Sequence, residues 1–275
     1  MRFLHAILAH KKCLIALGVV LIIWFNIQPS NDRDWYPNQA VLAHAEIDGD
    51  IVTIRNARTF RYVDEQNFTP AYKDWTLDLK DLDSLWFVLS PFSKWTGPAH
   101  TMLSFGFGDE YVVISIEARK ESDESFSALS GLLKQYELMY VIGDERDLVG
   151  LRTGQYKDDV FLYPVRTSKD YMDELFIEIL EEANRLYEKP KFYHLLLDAC
   201  TNGIARHVNS VTGRRTIPFS YKVYIPAFAD DLLYDIRLIK TDLPFEEARK
   251  HFQINGNAEG YENHKDFSRK IREFD

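Results

Sequence analysis

The sequence predicts an α+β fold, an antiparallel sheet packed against helices, set behind an N-terminal membrane-anchor helix. Three observations predict it. Strand-like and helix-like segments follow one another without a repeating strand–helix–strand rhythm, which argues against a parallel α/β sheet. Residues 99–107 and 111–119 are two alternating segments separated by glycines and read as a hairpin. Residues 13–25 form a run without charge, preceded by Arg2, Lys11 and Lys12. At 275 residues the chain suits an anchor plus one large domain. The expected division is a cytoplasmic stub and anchor over 1–28 and an exported domain over 29–275.

The apolar run is short for a spanning helix, which needs roughly 17–25 residues. It reaches that length between Ala9 and Ile27 if Lys11 and Lys12 snorkel. Basic residues before it and Asn31, Asp32 and Asp34 after it leave the N-terminus in the cytoplasm. Phe25-Asn26-Ile27-Gln28 is too bulky for a signal-peptidase site, so an uncleaved anchor is expected over a cleaved signal peptide or a buried helix. A hydrophobic content of 46% supplies a core, and a net charge of −9 argues against nucleic acid as partner. The same charge disfavours strong attraction to anionic lipid, unless a local basic patch lies within the total.

Residues 28–46 read as a polar linker. A turn at Asp48-Gly49-Asp50 leads into a strand over 51–54, and 60–62 continue the sheet. Residues 77–89 mix apolar and acidic positions and fit either element. After the hairpin, Leu129, Leu132, Leu133, Tyr136 and Leu138 give 125–141 helical spacing. A strand is expected over 160–165, then an acidic amphipathic helix over 171–187 stopped by Pro190. A further helix runs from near Cys200 to Val211 and ends at Gly213. A strand at 221–225 and helices near Phe245 and Phe267 complete the reading.

The hairpin carries the first candidate chemistry. With Gly108-Asp109 as a two-residue type II′ turn, paired residues have numbers summing to 217, which sets His100 opposite Glu117. Thr101, Leu103, Phe105, Val112, Ile114 and Ile116 then share an apolar face. His100, Met102, Ser104, Tyr111, Ser115 and Glu117 share the other. A carboxylate opposite a histidine fixes its tautomer and favours its charged form. The plain alternative is an ordinary cross-strand pair on a solvated face.

Of the two cysteines, Cys13 lies at the membrane boundary, so Cys200 is a single thiol in the exported part. Such a thiol is either a buried inert residue or a nucleophile. Asp198 is expected to cap the helix, and a thiol in the first turn meets free amides and the positive end of the dipole, which lower its pKa. Those amides suit an oxyanion, with Thr201 or Asn202 as a further donor. Among the other histidines, His207 sits two turns along the helix, too far for a direct bond. His194 precedes the turn, His44, His251 and His264 lie in polar segments, and His5 and His10 lie with the anchor. His100 is the candidate base. It precedes the cysteine, the reverse of the papain order, which implies a circularly permuted papain-like arrangement. Residues 143–147 read as a salt-bridged loop, and Trp75, Trp86 and Trp95 as core or groove walls. No metal-ligand spacing, phosphate loop or Gly-x-Ser-x-Gly elbow is present, so neither metal nor cofactor is expected.

Four segments carry a family resemblance: 99–105 (AHTMLSF), 115–119 (SIEAR), 140–147 (YVIGDERD) and Leu-Leu-Leu-Asp-Ala-Cys-Thr ending at 201. With the closing Phe-Ser-x-x-Ile-Arg they resemble the N-terminal periplasmic domain of Lnb-type bacterial lipoprotein N-acyltransferases. That family is similar to permuted papain-like acyltransferases, the group containing lecithin–retinol acyltransferase. The resemblance implies Cys200 as nucleophile, His100 as base and Glu117 as acid. It also implies a phospholipid acyl donor, a lipoprotein amine acceptor and a periplasmic domain on a single-pass inner-membrane anchor. Ala199 and Asn202 stand where the family often carries Asn and a second Thr. The rival expectations are a cysteine amidase, peptidase or lipase, and a non-catalytic envelope binding module.

Overall fold

Segments rich in Val, Ile, Phe and Tyr dominate the first two thirds of the chain and pair into an eight-stranded sheet. The computed structural model describes residues 18, 24–64, 67–92 and 97–274. β1 (His44–Asp48) and β2 (Ile51–Arg58) join through Gly49, whose φ of 57° favours a residue without a Cβ. β3 (Arg61–Tyr62) and β4 (Phe68–Thr69) do not continue the sheet as expected; they form a separate ribbon. Phe60, Tyr62 and Leu151 draw that ribbon into a small cluster of its own. The ambiguous stretch at 77–89 resolves into the end of β5 (Tyr72–Asp78), a 3₁₀ turn Leu79–Asp81, and most of β6 (Leu82–Pro91).

β7 (Ala99–Phe107) and β8 (Glu110–Arg119) form the predicted hairpin, with Gly108 at φ 63°. Their register runs from Met102↔Ser115 to Phe107↔Glu110, every pair summing to 217. β9 (Glu137–Asp144) and β10 (Phe161–Pro164) complete the order β1-β2-β9-β8-β7-β6-β10, with β5 also on β2. The sheet is antiparallel except where β2 meets β9 through the parallel pair Arg58↔Gly143. A Cβ on Gly143 would stand 2.5 Å from the Arg58 carbonyl oxygen, so this approach requires glycine.

Two expected elements are corrected. The helix over 125–141 is a 3₁₀ turn, Ser130–Leu132, followed by β9. Leu129 and Leu133 are exposed while Tyr136 and Leu138 are buried, so the helically spaced residues do not share a buried face. The Tyr136 hydroxyl donates to the Ser125 carbonyl (2.7 Å) and accepts from Ser127 N (2.9 Å), closing the loop. The strand at 221–225 is a single helical turn, Tyr221–Tyr224, capped by Ser220. Its apolar residues are mostly exposed, and among the described residues it pairs with no strand.

α1 (Glu145–Gly150) continues into a π-helical turn, Leu151–Tyr156. α2 (Lys169–Glu188) begins at Ser168, whose hydroxyl caps the first turn. α3 (Cys200–Val211) stops before Gly213, at φ 60°. Phe176, Ile179 and Ile204 of α2 and α3 pack on Leu103, Phe105 and Ile114, the predicted apolar face. The opposite face is not solvated. Met102, Val113 and Met139 are covered there by Ile254, Phe267 and Ile271 from the expected C-terminal helical region. β7 is therefore buried along its whole length. The predicted anchor lies almost wholly outside the described residues, as do Cys13, His5, His10 and Trp95. Among the described residues no helix is long and apolar enough to cross a membrane.

Candidate active site

Cys200 is the first helical residue of α3, because Ala199 before it is extended (φ −70°, ψ 167°). The cap expected from Asp198 is absent. Its carboxylate accepts instead from Lys191 Nζ (2.8 Å) and Arg206 Nη1 (2.7 Å), which hold it beneath the turn. Without a side-chain cap, the first-turn amides remain available to an anion. α3 sits close on β8 because Gly203 has no Cβ; one there would meet Ile116 Cδ1 at 2.7 Å. The hydroxyls of Thr201 and Thr101 meet at 3.1 Å, tying the helix tip to β7. Thr201 Oγ1 lies 3.9 Å from the Cys200 sulfur, whereas the Asn202 amide donates to the Leu195 carbonyl at 3.2 Å.

His100 lies near the start of β7, paired with Ser90 of β6, and it is buried. Its Nε2 is 2.6 Å from Ser115 Oγ, and Ser115 Oγ donates to Glu117 Oε1 at 2.8 Å. The serine proton being directed to Glu117, Nε2–H donates to the serine oxygen and Nδ1 carries the lone pair. Glu117 itself is 3.9 Å from His100 Nε2 and also accepts from Gln39 Nε2 at 3.0 Å. Phe92 stacks on the imidazole at 6.3 Å, and Arg152 stands over Phe92 at 5.3 Å.

Burial alone would raise the Cys200 pKa. The hydrogen bond and charge of His100, with hydrogen bonds from the side chain and backbone of Thr101, outweigh it and bring the thiol to about 6. Burial also pushes the Glu117 carboxyl upward. The charges of His100, Arg58 and Arg152 and the Ser115 hydrogen bond leave it below its ordinary value. At neutral pH the set favours a thiolate on Cys200, next to a His100 ring backed by the Ser115–Glu117 relay.

The structure thus brings Cys200, His100 and Glu117 into one network, with Ser115 between the last two. Ser115 and Gln39 were not singled out from sequence. Ser115 had a signal, since the 217 register puts it on the His100 face; Gln39, in the linker, had none. His207 is engaged elsewhere: its Nε2 is 2.7 Å from the Tyr140 hydroxyl. Burial holds its pKa down at about 3, helped by Arg206, Arg185 and Lys191. His44 stacks on Tyr187, His251 packs on Phe252, and His264 is exposed near Asp266. The His194 ring accepts from Leu196 N at 3.2 Å.

Residues 143–147 are a strand-to-helix junction rather than a loop, and they are salt-bridged as expected. Asp147 accepts both Arg58 nitrogens (2.9 and 2.8 Å), Asp144 pairs with Arg61, and Glu145 pairs with Arg272. Trp75 is buried and donates to Glu110 at 2.6 Å; Trp86 packs against Phe274. Among the described residues no cluster of His, Cys, Asp and Glu has metal-site geometry.

The model of one protein family, the Lnb N-terminal periplasmic domain, matches residues 69–227, more than half of the chain and all of Cys200, His100, Ser115 and Glu117. No curated protein and no solved structure matches.

Proposed function

We propose a function from one premise: this chain belongs to the Lnb N-terminal periplasmic domain family. On this reading it is a cysteine-dependent N-acyltransferase working in the periplasm, on a single-pass inner-membrane anchor at residues 1–28. The domain over 29–275 is read as a permuted papain-like one, because a helix-borne thiol meets a sheet-borne base that precedes it in sequence.

His100 Nδ1 takes the Cys200 proton, and the thiolate attacks the ester carbonyl of a phospholipid acyl chain. The first-turn amides of α3 face the resulting oxyanion. As the C–O bond breaks, the imidazolium returns the proton to the departing lysophospholipid alkoxide, leaving a Cys200 thioester. The amine at the N-terminus of a lipoprotein then attacks that thioester and gives a proton to His100. Cleavage of the C–S bond releases the amide and regenerates the thiol. Glu117 acts through Ser115, orienting the ring and favouring its charged form.

The observation that carries this reading is geometric: a buried thiol at the tip of α3 bonds His100, which is itself tied to Glu117 through Ser115. Intact-mass analysis after incubation with phospholipid tests it. The expected result is a hydroxylamine-sensitive acyl adduct, absent from Cys200→Ala; an equal adduct on that variant overturns the assignment. Hydrolysis by a cysteine amidase, peptidase or lipase shares the first step, with water in place of the amine. Product analysis with and without an amine acceptor separates the two.

A further inference from the structure

Exposed apolar side chains gather around the tip of α3. Leu129 and Leu133 flank the 3₁₀ turn Ser130–Leu132, and Leu195 N bonds the Gly131 carbonyl at 2.8 Å, which sets the turn before Cys200 beside them. Leu196 and Leu197 project from that turn and share a surface depression with Phe219 and with Arg214 and Arg215. Leu129 is 67% exposed, Leu197 63% and Phe219 77%. Contiguous exposure of large apolar groups, rimmed by polar ones, marks an interaction surface.

Two further observations select its occupant. Arg214 and Arg215 are exposed and form no ion pair among the described residues. Asp198, bonded to Arg206 at the same rim, is already shared with Lys191. A chain of net charge −9 therefore presents free guanidinium groups beside its apolar rim. Guanidinium pairs with phosphate by two parallel hydrogen bonds, and an aromatic beside it suits a membrane interface. Moreover, Trp24 lies against this side: Lys134 Nζ stands 5.7 Å over the Trp24 ring and 5.6 Å over the Phe192 ring. The depression, about 530 Å³ in volume, also shares Ala205, Ile217 and Val223 with a small apolar cavity of about 50 Å³ that reaches Thr201, the residue after Cys200.

We infer that the side formed by residues 129–133, 196–197 and 214–224 docks on an anionic phospholipid leaflet. Leu129, Leu133, Leu196, Leu197 and Phe219 enter the leaflet, and Arg214 and Arg215 meet lipid phosphates. That this leaflet also supplies the acyl donor to Cys200 is the one step that rests on the proposed acyl-transfer function.

The test is hydrogen–deuterium exchange on the full chain in lipid nanodiscs, comparing phosphatidylglycerol-containing discs with purely phosphatidylcholine ones. Amides of 213–225 should exchange more slowly in the anionic discs by roughly ten-fold, and R214E/R215E should remove the difference. Equal exchange of 213–225 in the two discs, or anionic-lipid protection confined to residues 61–69, overturns the surface. Running Cys200→Ala in parallel separates the two claims. Protection in both chains with no Cys200 adduct on the parent sinks the thioester reading alone. An adduct on the parent without protection sinks the docking surface alone.

Discussion

The imidazole of His100 and the carboxylate of Glu117 stand 3.9 Å apart, with the Ser115 hydroxyl bonded to both at 2.6 and 2.8 Å. The acid holds the base through a neutral relay. A hydroxyl that donates one way and accepts the other fixes which ring nitrogen carries the proton. Removing either end of the relay therefore disturbs the tautomer as well as the charge.

Ser115→Ala leaves the Nε2–H buried without a partner, a cost of about 1–3 kcal/mol. We expect acyl-transfer kcat to fall roughly ten- to hundred-fold with KM little changed, and Ser115→Thr, which keeps the hydroxyl, to restore most of it. Steady-state kinetics on the three chains check this. A Ser115→Ala enzyme with parental kcat would remove the relay from the mechanism.

Alkylation of Cys200 by iodoacetamide should follow a midpoint near pH 6, well below an ordinary thiol. His100→Ala removes the principal group lowering that pKa, so its midpoint should rise above about 8. The folded pKa lies below the ordinary 9.0, so the thiolate stabilises the fold fully above pH 9 and loses that contribution as pH falls through about 6. Slow alkylation with an ordinary midpoint in the parent chain would favour a non-catalytic binding module.

His207 should report on the fold and not on the Cys200 site. Its folded pKa of about 3 lies below the ordinary 6.5, so the unfolded chain takes up the proton first. Its contribution is complete above pH 6.5 and is lost as pH falls towards 3. In His207→Gln, Tm should therefore decline less steeply over that acid window, while the Cys200 alkylation profile stays where it was. Thermal melts across pH and the same alkylation series decide it; a shifted alkylation midpoint would make His207 part of the site.

Gly203→Ala pushes a methyl into Ile116 Cδ1 at 2.7 Å. Overpacking of this kind costs about 1–3 kcal/mol, offset in part by alanine's better helix propensity, about 1 kcal/mol. The expected outcome is a lower Tm and slower Cys200 alkylation, both recovered in Gly203→Ala/Ile116→Val, which removes the clashing carbon. Failure of the double variant to recover either property would show that α3 is not seated on β8 by this contact.

Much of the site was legible in the sequence because a hairpin with a two-residue turn leaves little freedom. Gly108-Asp109 set the 217 register, and the register put His100, Ser115 and Glu117 on one face. Cys200 at a helix start was legible from Gly213 at the other end and from the apolar spacing between them. The cap was not, because Lys191, distant from the turn in local pattern, takes Asp198 away from it. Residues 125–141 misled because helical spacing does not report burial; Leu129 and Leu133 face outward, Tyr136 is buried and β9 begins at Glu137. Burial of the His100 face came from Ile254, Phe267 and Ile271, a long-range contact that no local pattern encodes.

Arg58↔Gly143, the single parallel pair among the described residues, has a mechanical consequence. Strands β1, β2 and β5 are stitched into one plate, and β9, β8, β7, β6 and β10 into another, yet one residue pair sews the plates edge to edge. The seam is reinforced by the Arg58–Asp147 clasp, and the Asn184 amide fastens the first plate to α2 through Ala45. Under load we expect the molecule to part along that seam first, with the plate bearing His100, Ser115 and Glu117 coming away whole; single-molecule pulling on the two plates would check it.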